Sequence, residues 1–166
     1  IRPAGLDIFS GALALGKGTL LSARAIGLAI ATGVTSAVVS QPPRIGILST
    51  GDEIVPPGQI PGPGQIISSN AAFLSAYVKS CGAEAVDLGI AADKPGAVSD
   101  TVLATTNLDM VVTTGGASVG NHDHIVGDLA DGALDFWKIA MRPGKPLIWG
   151  KIGNTPLLGL PGNPVS

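Results

Sequence analysis

From Arg44 onward the sequence alternates short apolar runs with segments of helical periodicity, and this alternation restricts the possible folds more than any other feature. Ile45–Leu48, Ala83–Ile90 and Leu108–Thr113 are apolar and partly β-branched, as in buried strands, and a helical pattern follows each of them. Strands and helices in regular alternation are typical of a parallel sheet covered on both faces. We therefore predict an α/β fold with a mainly parallel sheet.

The helix expected after the first strand begins at Asn70 and ends at Gly82. Its apolar spacing predicts a buried face, and we interpret the aromatic residues on it as core and not as binding groups. That face is predicted to contain Phe73, Leu74, Tyr77, Val78 and Cys81. Near the other end of the chain, two strands around Gly153-Asn154 are predicted to form a hairpin or to lie side by side.

Residues 1–43 differ in pattern from the rest. Ser22 is predicted to cap a short helix that stops at Gly33, and Val34–Ser40 is predicted to be a strand. This stretch is too small for a core of its own, so we interpret it as a partial amino-terminal α+β segment preceding an α/β domain of residues 44–166. The chain starts without methionine and stops within a motif, which suggests a fragment that does not turn over by itself.

Charge and composition exclude several functional classes. The net charge is −2 without any basic run, which argues against nucleic-acid binding. No apolar stretch has the length needed to cross a bilayer, so a membrane span is not expected. Cys81 is the only cysteine, which excludes an internal disulfide and a cysteine-based zinc site. We expect a cytoplasmic protein.

A glycine-rich loop, Thr113–Asp123, joins a predicted strand to a predicted helix. Gly115, Gly116 and Gly120 permit close backbone approach, so successive N–H groups can point at one anionic oxygen beside the positive end of the helix. A tight strand-to-helix turn without a ligand is an equally open interpretation. A carboxylate at Asp123 would be unfavourable beside a phosphate unless it caps the helix or shares a cation with the anion.

Further charged residues lie where they could complete such a site. Glu53 and Asp93 follow predicted strands, where open α/β folds bind ligands, although Asp93 could instead cap the next helix. Lys138 and Arg142 share one face of a predicted strand, and Lys145 follows in the next turn. A solvated edge is the alternative for these cations. Together the charges predict a polyanion site with oxygen ligands suited to Mg²⁺.

Four stretches occur in a specific order and spacing: Ser49–Glu53, Gly115–Asp123, Arg142–Pro146 and Gly159–Ser166. Together they resemble molybdopterin molybdenumtransferase, which is similar to the carboxyl-terminal domain of gephyrin. The similarity extends to Ile1–Asp7. It implies a three-layer α/β/α molybdopterin-binding domain preceded by part of an amino-terminal domain, with other domains of the family absent from this stretch.

The resemblance also implies an activity and partners. The family takes adenylylated molybdopterin and molybdate, inserts molybdenum at the dithiolene, and releases AMP with the help of Mg²⁺. The implied partners are this pterin nucleotide, molybdate, a second copy of the chain in a homodimer, and the molybdopterin adenylyltransferase. The family often has lysine at the position of Arg142, where arginine keeps the charge but offers a planar fork for oxyanions.

The candidate site residues fall into three groups. The catalytic candidates are Asp7, Glu53, Asp93, Asp123, Lys138 and Arg142. The candidates for binding the pterin nucleotide are Thr50, Gly51, Asp52, Gly115, Gly116, Ser118, Gly120, Lys145, Pro161, Gly162, Asn163 and Pro164. The candidate metal ligands are Glu53, Asp93 and Asp123.

Two other functions remain open. One is transfer of an adenylyl group from ATP to molybdopterin, because the enzyme that does so resembles this chain in fold and glycine loop. The motifs at Pro143–Pro146 and Leu160–Pro164, together with the amino-terminal segment, favour the molybdenumtransferase. The other is a scaffold that binds a receptor peptide, as gephyrin does. The presence of Glu53, Asp93 and Asp123 argues against it.

Overall fold

The computed structural model describes residues 3–115, 124–129, 134–138 and 146–163. The chain divides into two compact units between Gln41 and Pro42. The elements in chain order are α1 Ala23–Ala31, β1 Arg44–Thr50, β2 Ile54–Val55, β3 Ile66–Ile67, α2 Asn70–Ser80, β4 Glu84–Ala91, α3 Ala97–Ala104, β5 Met110–Thr114, α4 His124–Asp128, β6 Leu134–Lys138, β7 Pro146–Ile152 and β8 Thr155–Leu160.

The first unit contains the predicted short helix. The Ser22 hydroxyl accepts a hydrogen bond from the backbone N–H of Ala25 at 3.3 Å, which caps α1 as expected. The strand predicted over Val34–Ser40 is wrong, since these residues have no regular structure. A strand needs a partner for its backbone groups, and the part of this unit that the structure describes contains none.

The second unit is built on a six-stranded sheet in the order β4-β1-β5-β8-β7-β6. Strands β4, β1, β5 and β8 run parallel to one another, whereas β7 pairs antiparallel with both β8 and β6. The predicted mainly parallel sheet is therefore confirmed, and so is the hairpin, because β7 and β8 pair around Gly153. A separate two-stranded sheet pairs β2 with β3.

Helices cover both faces of the six-stranded sheet. Leu48 of β1 belongs to the buried cluster that contains Val98 of α3 and Ile125 of α4. The next residue, Ser49, must point to the opposite face because side chains alternate along a strand, and it lines a cavity together with Ala71 of α2. Helices α3 and α4 therefore lie on one face and α2 on the other, so the three-layer α/β/α architecture is confirmed.

Helix α2 packs through a face that shares Leu74 and Val78 with the predicted one but excludes Phe73, Tyr77 and Cys81. Val78 is its only buried residue, whereas Phe73 and Tyr77 are 68% and 59% exposed, and Cys81 is exposed as well. The two aromatic rings stack on each other at 6.3 Å. The prediction that they belong to the core is wrong. The less exposed residues of the helix are Asn70, Ala71, Leu74, Ser75 and Val78. These also have helical spacing.

No helix in the described ranges combines the length and apolar character that a bilayer crossing requires.

Candidate functional site

The loops after the four parallel strands meet at one edge of the sheet. Because β4, β1, β5 and β8 are consecutive and parallel, their carboxyl ends lie side by side. This arrangement brings together the ends of β1 at Gly51–Glu53, β4 at Ala92-Asp93, β5 at Gly115 and β8 at Pro161–Asn163. Four separate parts of the sequence therefore contribute to one rim, which we call the carboxyl rim.

Gly115 allows the loops after β5 and β1 to touch. It has φ +93°, and a methyl group on its Cα would overlap the carbonyl oxygen of Thr50 and lie 2.9 Å from the Thr50 hydroxyl. Its N–H donates to the carbonyl of Leu160 at 3.2 Å. A methyl group on Gly162 would in turn lie 3.1 Å from the Cα of Gly115. Only glycine fits this crossing, where the backbones of three loops come together.

An unpaired hydroxyl lies at the same crossing. Thr50 is 4% exposed, and its Oγ1 has no hydrogen-bond partner among the residues that the structure describes. Leaving a buried polar group unpaired costs about 1–3 kcal/mol, so such an atom needs an explanation. A bound ligand would supply the missing partner. Thr113 carries a second buried hydroxyl without a partner in the described ranges, directed toward Gly159 of β8.

The acidic residues after β1 have two different environments. Both carboxylate oxygens of Glu53 lie over Gly51, where a methyl group would be 2.6 and 2.8 Å away from them. Asp52 instead accepts a hydrogen bond from the backbone N–H of Asp93 at 3.1 Å, which joins the loops after β1 and β4. Glu53 therefore presents its carboxylate at the rim, while Asp52 stabilises the loop that carries Asp93.

Asp93 does not cap the helix that follows it. The N-cap of α3 is Gly96, with φ +81°. The interpretation of Asp93 as a helix cap is therefore wrong, because the cap lies three residues further along the chain. Its backbone position next to Asp52 places Asp93 at the carboxyl rim, beside the acidic turn after β1.

Asn70 joins the loops after β5 and β8, and sequence reasoning missed this role. Its side-chain amide donates to the Thr114 hydroxyl and to the carbonyl oxygen of Gly162, both at 2.8 Å. The sequence predicted Asn70 only as the start of a helix. The sequence offers one chemical signal for it. The free N–H groups of a first helical turn need acceptors, so the NH₂ group of this amide cannot cap them and is available to bond elsewhere.

Several candidates lie outside the described residues. These are Gly116, Ser118, Gly120, Asp123, Arg142, Lys145 and Pro164. Lys138 is the last residue of β6, and the structure describes its backbone only. Asp7 belongs to the first unit, and the strands that form the rim belong to the second.

The oxygen chemistry of the rim suits a hard cation such as Mg²⁺. Glu53 offers an exposed carboxylate, and Asp93 is adjacent in space through the bond to Asp52. Within the described ranges, no group of three His, Cys, Asp or Glu side chains is close enough together to hold a metal ion. A three-carboxylate set would therefore have to include a residue beyond those ranges, and Asp123 is the candidate that the sequence supplies.

The fold and the rim define a ligand-binding domain of the doubly wound α/β class, with its site at the carboxyl ends of parallel strands. Residues 46–166 match the family model described as "Probable molybdopterin binding domain". The chain belongs to this family.

Curated relatives extend the comparison to the whole chain. It is 36% identical over 168 aligned positions to the molybdopterin molybdenumtransferase of Haemophilus influenzae, covering 100% of this chain and 42% of that protein. It is 40% identical to the enzyme of the same name from a Nostoc species, covering 95% of this chain and 37% of that protein. The chain thus spans about two fifths of these relatives. The resemblance inferred from the four motifs is confirmed.

A solved structure agrees with these relatives. The molybdopterin biosynthesis moeA protein from Pyrococcus horikoshii has a TM-score of 0.84 to this chain at 35% identity. The match covers 98% of this chain and 41% of that protein. Family, relatives and fold consequently point to molybdenum cofactor biosynthesis.

Proposed function

We propose that this chain carries the pterin-nucleotide site of a molybdopterin molybdenumtransferase. The reaction is the insertion of molybdenum from molybdate into adenylylated molybdopterin, with release of AMP. The observation that supports it most is the crossing of Gly115 over Thr50, where a buried hydroxyl without a partner in the described ranges lies at the carboxyl rim. A phosphate oxygen is a suitable acceptor for that hydroxyl.

The chain's own residues would bind and orient the substrate. The glycine loop from Gly115 to Gly120 would donate backbone N–H groups to the phosphates, with Thr50 and the loop of residues 161–164 beside it. Lys138, Arg142 and Lys145 would neutralise the phosphates and molybdate, since polyanions need cationic donors in a site with little water. In hydrolytic release of AMP, a water oxygen bonds to the phosphorus of the AMP group as the P–O bond to the pterin phosphate breaks. The pterin phosphate leaves, and the proton of the water passes to solvent.

Glu53, Asp93 and Asp123 are the residues that would hold Mg²⁺. The ion would supply positive charge between these carboxylates and the phosphate oxygens, lowering the repulsion between them. In this arrangement Asp52 keeps Asp93 in position through its hydrogen bond. Cytoplasmic location, a homodimer and contact with the adenylyltransferase remain predictions of the same resemblance.

The test combines binding with turnover. Equilibrium binding of adenylylated molybdopterin is measured by pterin fluorescence, and AMP release is measured with and without molybdate. Binding supports the proposal, and absence of binding refutes it. Binding without release is the expected result for this stretch alone, whereas full-rate molybdate-dependent release would contradict the expectation that it does not turn over by itself. Incubation with ATP and molybdopterin tests the alternative, because accumulation of adenylylated pterin would identify an adenylyltransferase.

The metal assignment has its own test. Asp123→Ala should weaken Mg²⁺-dependent nucleotide binding, because it removes one of three proposed oxygen ligands. A Mg²⁺ titration of nucleotide binding measures the change. Asp109→Ala is the control, because it removes a carboxylate at the amino end of β5, the end opposite the carboxyl rim. An unchanged Mg²⁺ titration would remove Asp123 from the metal site.

A further inference from the structure

The side chain of Asn70 makes two hydrogen bonds that cross between elements far apart in sequence. Its Nδ2 atom donates to Thr114 Oγ1, 44 positions away, and to the Gly162 carbonyl, 92 positions away, each at 2.8 Å. The carbonyl oxygen of Gly162 can only accept, so the atom facing it must be the amide nitrogen. Both hydrogens of that nitrogen are therefore used, one for each loop.

These bonds do not serve helix α2 itself. Its N-cap is Ser69, which makes no side-chain cap bond, and Asn70 is the first residue inside the helix. The N–H groups of a first turn need acceptors, and a donating amide cannot satisfy them. The helix instead holds Asn70 in a position from which its amide bonds to the ends of β5 and β8.

The two loops that Asn70 contacts are those that touch at Gly115. The Gly115 N–H donates to Leu160 at 3.2 Å, and Gly162 packs against the Gly115 backbone. Asn70 holds the residue before Gly115 on one side and Gly162 on the other. From this geometry we infer that Asn70 is a positioning residue, which holds Thr114 and Gly115 against the Pro161–Asn163 loop in the arrangement that binds the pterin nucleotide.

This inference rests on the proposed function for its ligand, but the positioning itself can be measured without one. If Asn70 holds the loops together, Asn70→Asp should increase hydrogen exchange at the Gly115 amide in the ligand-free protein. This variant keeps the side-chain size, removes both donors and places a carboxylate opposite the Gly162 carbonyl. Amides in the middle of β1 serve as an internal reference, because they should keep their protection.

The second measurement is affinity for adenylylated molybdopterin. Asn70→Asp should raise Kd by about tenfold or more, and Thr114→Val, which removes one of the two acceptors, should raise it by roughly three- to fivefold. Ser80→Ala is the matched control on α2, since it removes a 2.7 Å side-chain bond to Tyr77 within the helix region and reaches no loop. It should change neither exchange at Gly115 nor affinity.

The outcomes separate the two proposals. Faster exchange at Gly115 together with weaker binding supports the inference. Faster exchange with unchanged Kd overturns it, because Asn70 would then be structural only. Unchanged exchange at the Gly115 amide also overturns it. Should Asn70→Asp fail to fold, exchange is measured in Thr114→Val instead, and unchanged exchange in that variant overturns the inference. Absence of binding by the unsubstituted chain refutes the proposed function, while faster exchange in the variant would still support the positioning of the loops.

Discussion

The two ends of strand β1 differ in how their polar groups are hydrogen-bonded. At the amino end, the Arg44 N–H donates to Asp109 at 2.7 Å, and its guanidinium reaches Glu84 at 3.2 Å and the Asn107 carbonyl at 2.9 Å. At the carboxyl end, the Thr50 hydroxyl is buried without a partner among the described residues. The Arg44 donors at the amino end are thus hydrogen-bonded, whereas the Thr50 hydroxyl at the carboxyl end has no partner in the described ranges.

If the proposed function is correct, the amino end of β1 serves stability and the carboxyl end serves binding. A saturated edge gains nothing from a ligand, whereas an unpaired buried group gains a hydrogen bond when a ligand arrives. The carboxyl rim also depends on close backbone contact at Gly115, which costs conformational freedom and contributes no side-chain packing. The following predictions test whether the two ends separate stability from binding in this way.

The largest effect is expected from Gly115→Ala. Its methyl group would overlap the Thr50 carbonyl at φ +93°, so we expect the unfolding free energy to fall by roughly 2–4 kcal/mol and nucleotide binding to be lost. Gly58→Ala is the matched control, because Gly58 has φ +92° with open space around it, and should cost only about 1 kcal/mol. Denaturant unfolding measures both; equal losses would mean that the crossing is not tightly packed.

Arg44→Met should affect stability alone. Removing the guanidinium abolishes its bonds to Glu84 and to backbone carbonyls, but the side chain is partly exposed, so we expect a loss of only about 1–2 kcal/mol. Glu84→Gln, which removes just the ion pair, should cost a few tenths of a kcal/mol. Affinity for adenylylated molybdopterin should stay unchanged in both. A tenfold loss of affinity would contradict the separation of the two ends.

Thr50→Val should lower the affinity for the nucleotide without lowering stability. Valine has nearly the same shape and removes a buried hydroxyl that has no partner in the described structure, so the unfolding free energy should stay constant or rise by up to about 1 kcal/mol. Affinity for adenylylated molybdopterin should fall about tenfold if that hydroxyl binds a phosphate. Thr113→Val removes the other unpaired hydroxyl, directed at β8, and should leave affinity unchanged. Equal affinities in the two variants would show that neither hydroxyl binds the nucleotide.

The smallest effect on stability is expected from Glu53→Gln. The carboxylate is exposed, so the unfolding free energy should change by less than about 0.5 kcal/mol. The Mg²⁺ concentration needed for half-maximal nucleotide binding should rise several-fold, because an amide is a weaker ligand than a carboxylate. Glu84→Gln at the other end of the sheet is the control. If the Mg²⁺ requirement is the same in both, Glu53 is not a metal ligand.

Local patterns predicted much of the fold. Short apolar runs identified most strands, a period of about 3.6 residues identified the helices, and Gly153-Asn154 identified the hairpin. These patterns failed where a choice depended on contacts. Helix α2 has two stripes of suitable spacing, and it buries the one with Ala71 and Ser75 in place of the one with Phe73 and Tyr77. Val34–Ser40 has strand-like composition, but a strand also needs a neighbour.

For the site, the sequence by itself determined the chemistry: glycines at strand ends, acidic residues beside them, and motifs that identify the family. Only the tertiary structure decided how these parts are joined. It showed that Asp52 holds the loop of Asp93, that the Thr50 hydroxyl has no partner in the part of the chain that the structure describes, and that Asn70 links two loops. The reason is physical, since a hydrogen bond between residues 44 or 92 positions apart depends on strand order and leaves no periodic trace along the chain.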